Sequence, residues 1–328
     1  MSNRRSRFLG IAMLTLAAVI WGLAFSAQKS AMDFMGPFTC NSVRYLIGAA
    51  FLFLITVCRN ALVHKPLLPH ITRIEWIAGG VVGFFLFMAS SLQQIGIEGG
   101  DAGSAAFLTA LYIVIVPALG VLLGRRPGAA VWCGIVVALL GAYLLTVVGS
   151  STAAEEISSF GSFFSAIGAS RFRIARADLL VILCAVVFSF HILSIDRFSG
   201  RVDGLHLSML QFLTVGVLGL PLMGAIEAPH ISEIVDGILP LLYLALLSSG
   251  VAYTLQVLGQ ARLEPALASV IMSLESVFGV IGGVLILGER MNPAEIVGCV
   301  LVFIAVIVAQ LDDVLRAALT KQKRKHHK

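Results

Sequence analysis

Few residues of this chain could do chemistry, and most of them stand inside apolar runs. Glu275 interrupts SLESVFGVIGG (273–283). A charge at the centre of a bilayer costs at least about 2.5 kcal/mol, so it must face protein or water. There it could take up and release a proton, or hold the cationic group of a substrate. The competing reading is a structural carboxyl, hydrogen-bonded to a neighbouring helix. Arg44 stands in PFTCNSVRY (37–45). A planar guanidinium at that depth can hold a carboxylate with two parallel bonds, or pair structurally, or snorkel toward a membrane face. His191 is the one histidine well inside an apolar run. Imidazole titrates near neutral pH and can relay protons; a lone helix histidine can equally be a satisfied donor.

A second group is polar but uncharged. Tyr253, Gln256 and Gln260 fall at i, i+3 and i+7, on one helix face. Ser90 and Gln93 occupy the corresponding places in the first half of the chain. Trp21, Phe25 and Gln28 share a face nearer the start, and Thr109 and Tyr112 complete a candidate cavity wall. Tyr112 is the first-half counterpart of Glu275. Such residues suit a pocket for a small molecule; interhelical hydrogen bonding and core packing are the competing readings.

Other chemistry is excluded by what is missing. There is no H-E-x-x-H, no serine–histidine pairing and no P-loop, so neither an intramembrane protease nor an ATP-driven pump is indicated. No ring of charge marks a channel filter. Five cysteines, Cys40, Cys58, Cys133, Cys184 and Cys299, lie in apolar stretches without a C-x-x-C pair. They read as small apolar side chains, with no metal site. No cofactor motif is present.

These residues need helices to position them, and the composition supplies them. The 328 residues are 58% hydrophobic and 12% charged, with a mean hydropathy of +0.96. Soluble domains carry about 25% charged residues, so a cytosolic enzyme, a nucleic-acid binder and a disordered chain are all excluded. Apolar runs at 8–28, 37–58, 74–97, 101–124, 129–148, 177–195, 204–225, 237–259, 264–287 and 293–311 each have the length of a spanning helix. Alternating polarity, the mark of a barrel strand, is lacking. The fold class is therefore an all-α polytopic membrane protein with ten transmembrane helices. The run from Phe8 to Ala27 reads as a permanent helix and not a cleaved leader. With the start of the chain inside, seventeen of the 23 Lys and Arg fall on the inner side and five on the outer, Arg44 being within a span. Both termini are then cytoplasmic. The basic ends, MSNRRSR and KQKRKHHK, read as anchors to anionic lipid.

The two halves repeat each other. LQQIG (92–96) matches LQVLG (255–259), and AAVIWGLAFSAQKS (17–30) matches CAVVFSFHILSIDR (184–197). GVLLGRR (120–126) matches GVLILGER (283–290), and AVWCGIVVALLGAYLL (130–145) matches AEIVGCVLVFIAVIVA (294–309). Each half holds five spans, an odd number, so the second half enters the membrane inverted. Inverted-topology repeats are a plan of secondary transporters, in which two halves exchange conformations about a midplane site. The expected organisation is a basic N-terminus at 1–7, repeats at 8–148 and 177–311, a periplasmic linker at 149–176 and a basic tail at 312–328. The linker is Ser/Gly-rich, with an interfacial helix around Phe160–Phe172 as the alternative to a plain connection.

The chain resembles the drug/metabolite transporter superfamily, and within it the EamA-type permeases. The likeness rests on AVIWGLAF (18–25), PFTCNSVRY (37–45), AFLTALYIVIVPALGVLLGRRP (106–127) and SLESVFGVIGGVLILGER (273–290). It implies ten helices in a bacterial inner membrane and secondary transport, often export, of amino acids or related metabolites. Arg44 matches the arginine that recurs after the proline in that family. Arg171, Arg173 and Arg176 crowding Asp178 depart from the usual short linker. The partners implied are a small-molecule substrate and the lipid bilayer, with protons as the candidate coupling ion at Glu275 or His191; nucleic acid is excluded and a homodimer is left open. The alternatives are a carrier exporting cationic drugs, an uptake carrier and a structural membrane protein. A nucleotide-sugar carrier would need several bases in its cavity, and Arg44 is alone.

Overall fold

The computed structural model describes residues 2–64, 66–100, 102–144, 176–282, 285 and 296–309. The linker with Phe160–Phe172, Arg171 and Arg173, most of the flank from Gly283 to Arg290, and the C-terminal basic tail lie outside the described residues.

Every described element is helical. Six helices are long and apolar enough to cross a membrane, and four shorter apolar helices accompany them. In the first half these are α1 (Ser2–Ala31), α2 (Pro37–Leu62), α3 (Arg73–Gly99), a fourth span made of α4 (Ala102–Ala110) and α5 (Tyr112–Leu122), and α6 (Ala129–Tyr143). The second half has α7 (Arg176–Phe198) and α8 (Gly204–Leu222), then a π-helical turn at Met223–Glu227 and the short α9 (Ile231–Asp236). Its third span joins α10 (Ile238–Leu242), a π-helical stretch Tyr243–Tyr253 and α11 (Thr254–Gln260). Its fourth span is α12 (Pro265–Met272) with α13 (Leu274–Gly282), and its last is α14 (Ile296–Ala309).

Local chemistry sets the starts of these helices. α2 opens with proline at its first position, where no N–H is needed. Thr72 and Glu75 form a capping box on α3. Asp203 caps α8 by accepting from Leu205 N and His206 N. α1 begins earlier than the apolar run: the segment around Arg4, Arg5 and Arg7 holds no helix breaker, so the expected basic N-terminus continues the helix as a polar first stretch.

Two expected continuous spans are interrupted. The fourth breaks at Leu111 and the ninth at Ser273, nearly equivalent points of the two repeats. At each break the backbone tightens to shorter bonds, Val114 N to Leu111 O and Ser276 N to Ser273 O. In α12 and α13 the hydroxyls of Ser269, Ser273 and Ser276 bond back to carbonyls three residues earlier, competing with the helical ladder.

The two faces of the bundle are defined by which ends meet. At the near face, where α1 begins, Gly10 packs on Gly259 and Leu263, and Arg59 at the end of α2 pairs with Asp203 before α8 at 2.8 Å. At the far face Lys29, ending α1, donates to the carbonyls of Ile97, Glu98 and Gly100 at the end of α3. There too α7 begins, Ala177 lying against Gly99 and Gly100. So the first repeat starts at the near face and the second at the far face. Packing repeats the inversion: α1 lies on α12 and α13 as α7 lies on α4 and α5, and α3 lies on α7 as the Ile238–Gln260 span lies on α1.

Small residues permit these approaches. A Cβ at Gly22 would stand 2.6 Å from the Phe278 carbonyl carbon, and one at Gly83 would stand 2.7 Å from Gln211 O. Backbone thus approaches backbone closely, the packing mode that replaces the hydrophobic effect within lipid.

Candidate functional site

A cavity of about 480 Å³, counted out to its open side, lies between the repeats. Its walls come from α1, α2, α3, the broken fourth and ninth spans, α7 and the π-containing span. No described residue of the fifth or tenth span lines it. Its lining carries the pseudo-two-fold: Trp21 answers Phe188, Phe25 answers Ile192, Gln93 answers Gln256 and Tyr112 answers Glu275.

Glu275 and Tyr112 each lie just after a helix break. Tyr112 Oη donates to Glu275 Oε1 at 2.9 Å. Both are buried, and no Lys or Arg pairs with Glu275 among the described residues. The carboxyl lies in the cavity wall, with Tyr112 as its side-chain donor among the described residues.

Arg44 approaches the cavity from α2, with 3% of its surface exposed. Its Nη1 donates to Gln28 Oε1 at 3.2 Å and its Nη2 to Tyr45 Oη at 3.3 Å. Its Nε has no hydrogen-bond partner, and no carboxylate pairs with it among the described residues. A buried guanidinium without an anion is costly, and the open cavity is where an anion can reach it. Gln256 Oε1 is likewise without a partner.

The remaining walls are held by side chain to backbone bonds. The π-helical stretch widens the turn at Ser248, whose carbonyl accepts from Trp21 Nε1 at 3.2 Å. Trp21 then meets Tyr253 edge to face at 4.8 Å between ring centres. Gln93 Nε2 donates to Thr109 Oγ1 at 3.1 Å, fixing α3 to α4.

Ten of the twelve candidates from the sequence line this cavity: Trp21, Phe25, Gln28, Arg44, Gln93, Thr109, Tyr112, Tyr253, Gln256 and Glu275. Two do not. Ser90 is fully buried, its hydroxyl donating to Phe87 O on its own helix and its carbonyl accepting from Asn41 Nδ2 at 3.0 Å. His191 lies behind Tyr253 and Phe188, with its Nε2 3.0 Å from Gln211 Oε1. The structure adds Ala24, Phe188, Ile192, Ser248 and Met272 to the lining. The repeat offset points to Phe188 and Ile192, as partners of Trp21 and Phe25; nothing in the sequence signals the π turn that exposes Ser248. No group of metal-ligating side chains forms among the described residues.

Comparison with known proteins places this geometry. A solved crystal structure superposes with a TM-score of 0.69 over 95% of this chain and 99% of its own, at 18% identity, which shows a shared fold. An uncharacterized transporter of Archaeoglobus fulgidus is 28% identical over 91% of this chain and 84% of its own length. An S-adenosylmethionine/S-adenosylhomocysteine transporter of Chlamydia trachomatis is 22% identical over 65% of this chain and 60% of its own. The model of the EamA-like transporter family matches twice, over residues 8–147 and 175–310. Two matched copies, inverted in the structure and joined around one polar cavity, make this chain a member of the EamA-like transporter family.

Proposed function

We propose that the protein is a secondary transporter carrying amino acids or related small zwitterionic metabolites by alternating access around this cavity. The observation that carries the reading is one cavity holding a buried guanidinium and a carboxyl, Arg44 and Glu275, neither of them ion-paired among the described residues. A substrate carboxylate satisfies the first and an ammonium the second. Between them Trp21, Phe25 and Tyr253 offer an apolar wall to a side chain. A drug bearing only a cation would leave Arg44 unmatched. The two compounds in the Chlamydia relative's name both carry an α-amino-acid head group, which supports the same class.

The basic residues concentrated at the near face support a cytoplasmic near face, both termini inside, and a bacterial inner membrane. Export is the direction proposed, with Glu275 as the group that carries a proton in exchange. Its position at a helix break, between the repeats, supports that role.

The test is thermal stabilisation of the purified protein across a panel of amino acids, amines and carboxylic acids. A ligand at a hundredfold excess over Kd stabilises by about 2.7 kcal/mol. Zwitterions should stabilise the wild type more than amines or acids of the same side chain. Arg44→Gln and Glu275→Gln should each abolish that preference. Equal stabilisation by simple amines would move the reading to cationic drugs.

A further inference from the structure

The offset of 167 residues that relates α1 to α7 also relates α2 to α8. It places Gln211 where the first repeat has Arg44, Ser208 where it has Asn41, and Phe212 where it has Tyr45. Tyr45 and Phe212 touch across the pseudo-two-fold, 5.5 Å between ring centres. A polar contact to the preceding helix recurs, one turn displaced. Arg44 on α2 bonds Gln28 on α1; Gln211 on α8 bonds His191 on α7, four residues before Ile195, the strict counterpart of Gln28. The first pair opens on the cavity and the second does not.

The reason is one residue. Tyr253 is the counterpart of Ser90 at the 163-residue offset of the third spans. Ser90 has no ring, and Arg44 lines the cavity. The Tyr253 ring stands 6.0 Å from His191 and 5.8 Å from Phe212, between the second pair and the cavity. Behind it, Gln211 Nε2, His191 Nδ1 and Ser208 Oγ have no hydrogen-bond partner, although all three residues are fully buried. Three buried polar atoms without a protein partner are costly to keep. A hydrogen-bonding ligand reaching them would satisfy them.

We infer that Gln211 and His191 form a second polar station of the transport path, closed beneath Tyr253 in this state and opened to the near face when the repeats exchange conformations. The inference rests on the alternating-access reading above. His191 Nε2 lies 3.0 Å from Gln211 Oε1, which leaves Gln211 Nε2, His191 Nδ1 and Ser208 Oγ to meet a ligand. The station therefore offers amide, imidazole and hydroxyl groups where the first repeat offers a guanidinium.

Side-specific thiol labelling tests it. Gln211→Cys and Arg44→Cys are made separately and exposed, in right-side-out and in everted membrane vesicles, to an anionic, membrane-impermeant methanethiosulfonate. Labelling is read above that of the parent chain with its five native cysteines. Gln211→Cys should be modified severalfold faster than the parent from the near face only, and Arg44→Cys, in the alternating cavity, from both faces. Modification of Arg44→Cys without any of Gln211→Cys overturns the station while leaving the transport reading intact. Modification of Gln211→Cys from the far face overturns it as well. Modification of neither overturns alternating access and the station with it. If Gln211→Cys is absent from the membrane, Ser208→Cys, one turn away, takes its place with the same expectation.

Discussion

Tyr112 Oη donates to Glu275 Oε1 at 2.9 Å, and the two residues, 163 apart, hold the same place in the two repeats. Each follows a break in its span. The bond therefore lies where the pseudo-two-fold passes between the repeats, and it joins the one buried carboxyl of the cavity to its own counterpart. An axis contact of this kind can persist while the halves around it exchange conformations.

That placement separates charge from hydrogen bonding. Glu275→Gln keeps an acceptor for Tyr112 and should leave the fold intact while abolishing the preference for substrates with an ammonium group. Tyr112→Phe removes the donor from a buried carboxyl and should cost about 1–3 kcal/mol of stability. Thermal unfolding and ligand titration of the two variants, side by side, check both outcomes.

Glycine contacts give a steric prediction. Gly22→Ala puts a methyl group against the backbone of Phe278 and Gly279. It should lower stability by about 1–3 kcal/mol, the usual cost of overpacking, by forcing α1 away from α13. At Gly80 an added Cβ meets nothing within 4 Å. Gly80→Ala should be neutral or stabilising by up to about 1 kcal/mol, through helix propensity alone. Unfolding midpoints in detergent distinguish the two.

At the near face one carboxylate does more than its neighbouring ion pair. Glu75 Oε1 lies 2.8 Å from His206 Nδ1 and accepts from Asp203 N, while Oε2 accepts from Thr72. Glu75→Ala should cost about 1–3 kcal/mol by leaving these groups unmatched. Arg59 and Asp203 are each about one third exposed, so Arg59→Gln should cost no more than about 1 kcal/mol. Denaturation of the two variants under one condition makes the comparison.

At the far face a carboxylate of the second repeat caps a helix of the first. Glu227 accepts from Phe38 N, Thr39 N and Thr39 Oγ1, at 2.6 to 2.8 Å. Thr39 is the counterpart of His206 at the 167-residue offset, so carboxylates fasten equivalent points on both faces. Glu227→Ala should destabilise by about 0.5–2 kcal/mol, as loss of a helix cap does. Hydrogen exchange should rise at the first turn of α2 while α8 stays protected; uniform change in both would contradict the capping role.

The sequence makes legible what depends on period and repetition. Span lengths follow from hydropathy, and the inverted halves follow from two five-span repeats. The Glu275–Tyr112 equivalence follows from the same offset. Contacts between distant spans are another matter. Gln28 is visible on a helix face, but its bond to Arg44 depends on how α1 crosses α2. His191 reads as a cavity residue from its depth, yet the bulk of Tyr253 encloses it. Neither the break at Leu111 nor the π stretch before Tyr253 coincides with a glycine or proline at its centre, so local sequence gives no sign of them. The Glu227 cap joins residues 188 and 189 apart, beyond the reach of any local pattern.

Counterflow tests carrier transport of zwitterions through the Arg44–Glu275 cavity most directly. Purified protein in proteoliposomes loaded with an unlabelled amino acid should take up the same labelled amino acid faster than empty ones. That flux should saturate, and Arg44→Gln or Glu275→Gln should abolish it while the proteins remain folded. Flux that rises linearly with concentration, gains nothing from internal substrate, or survives both substitutions would contradict the account.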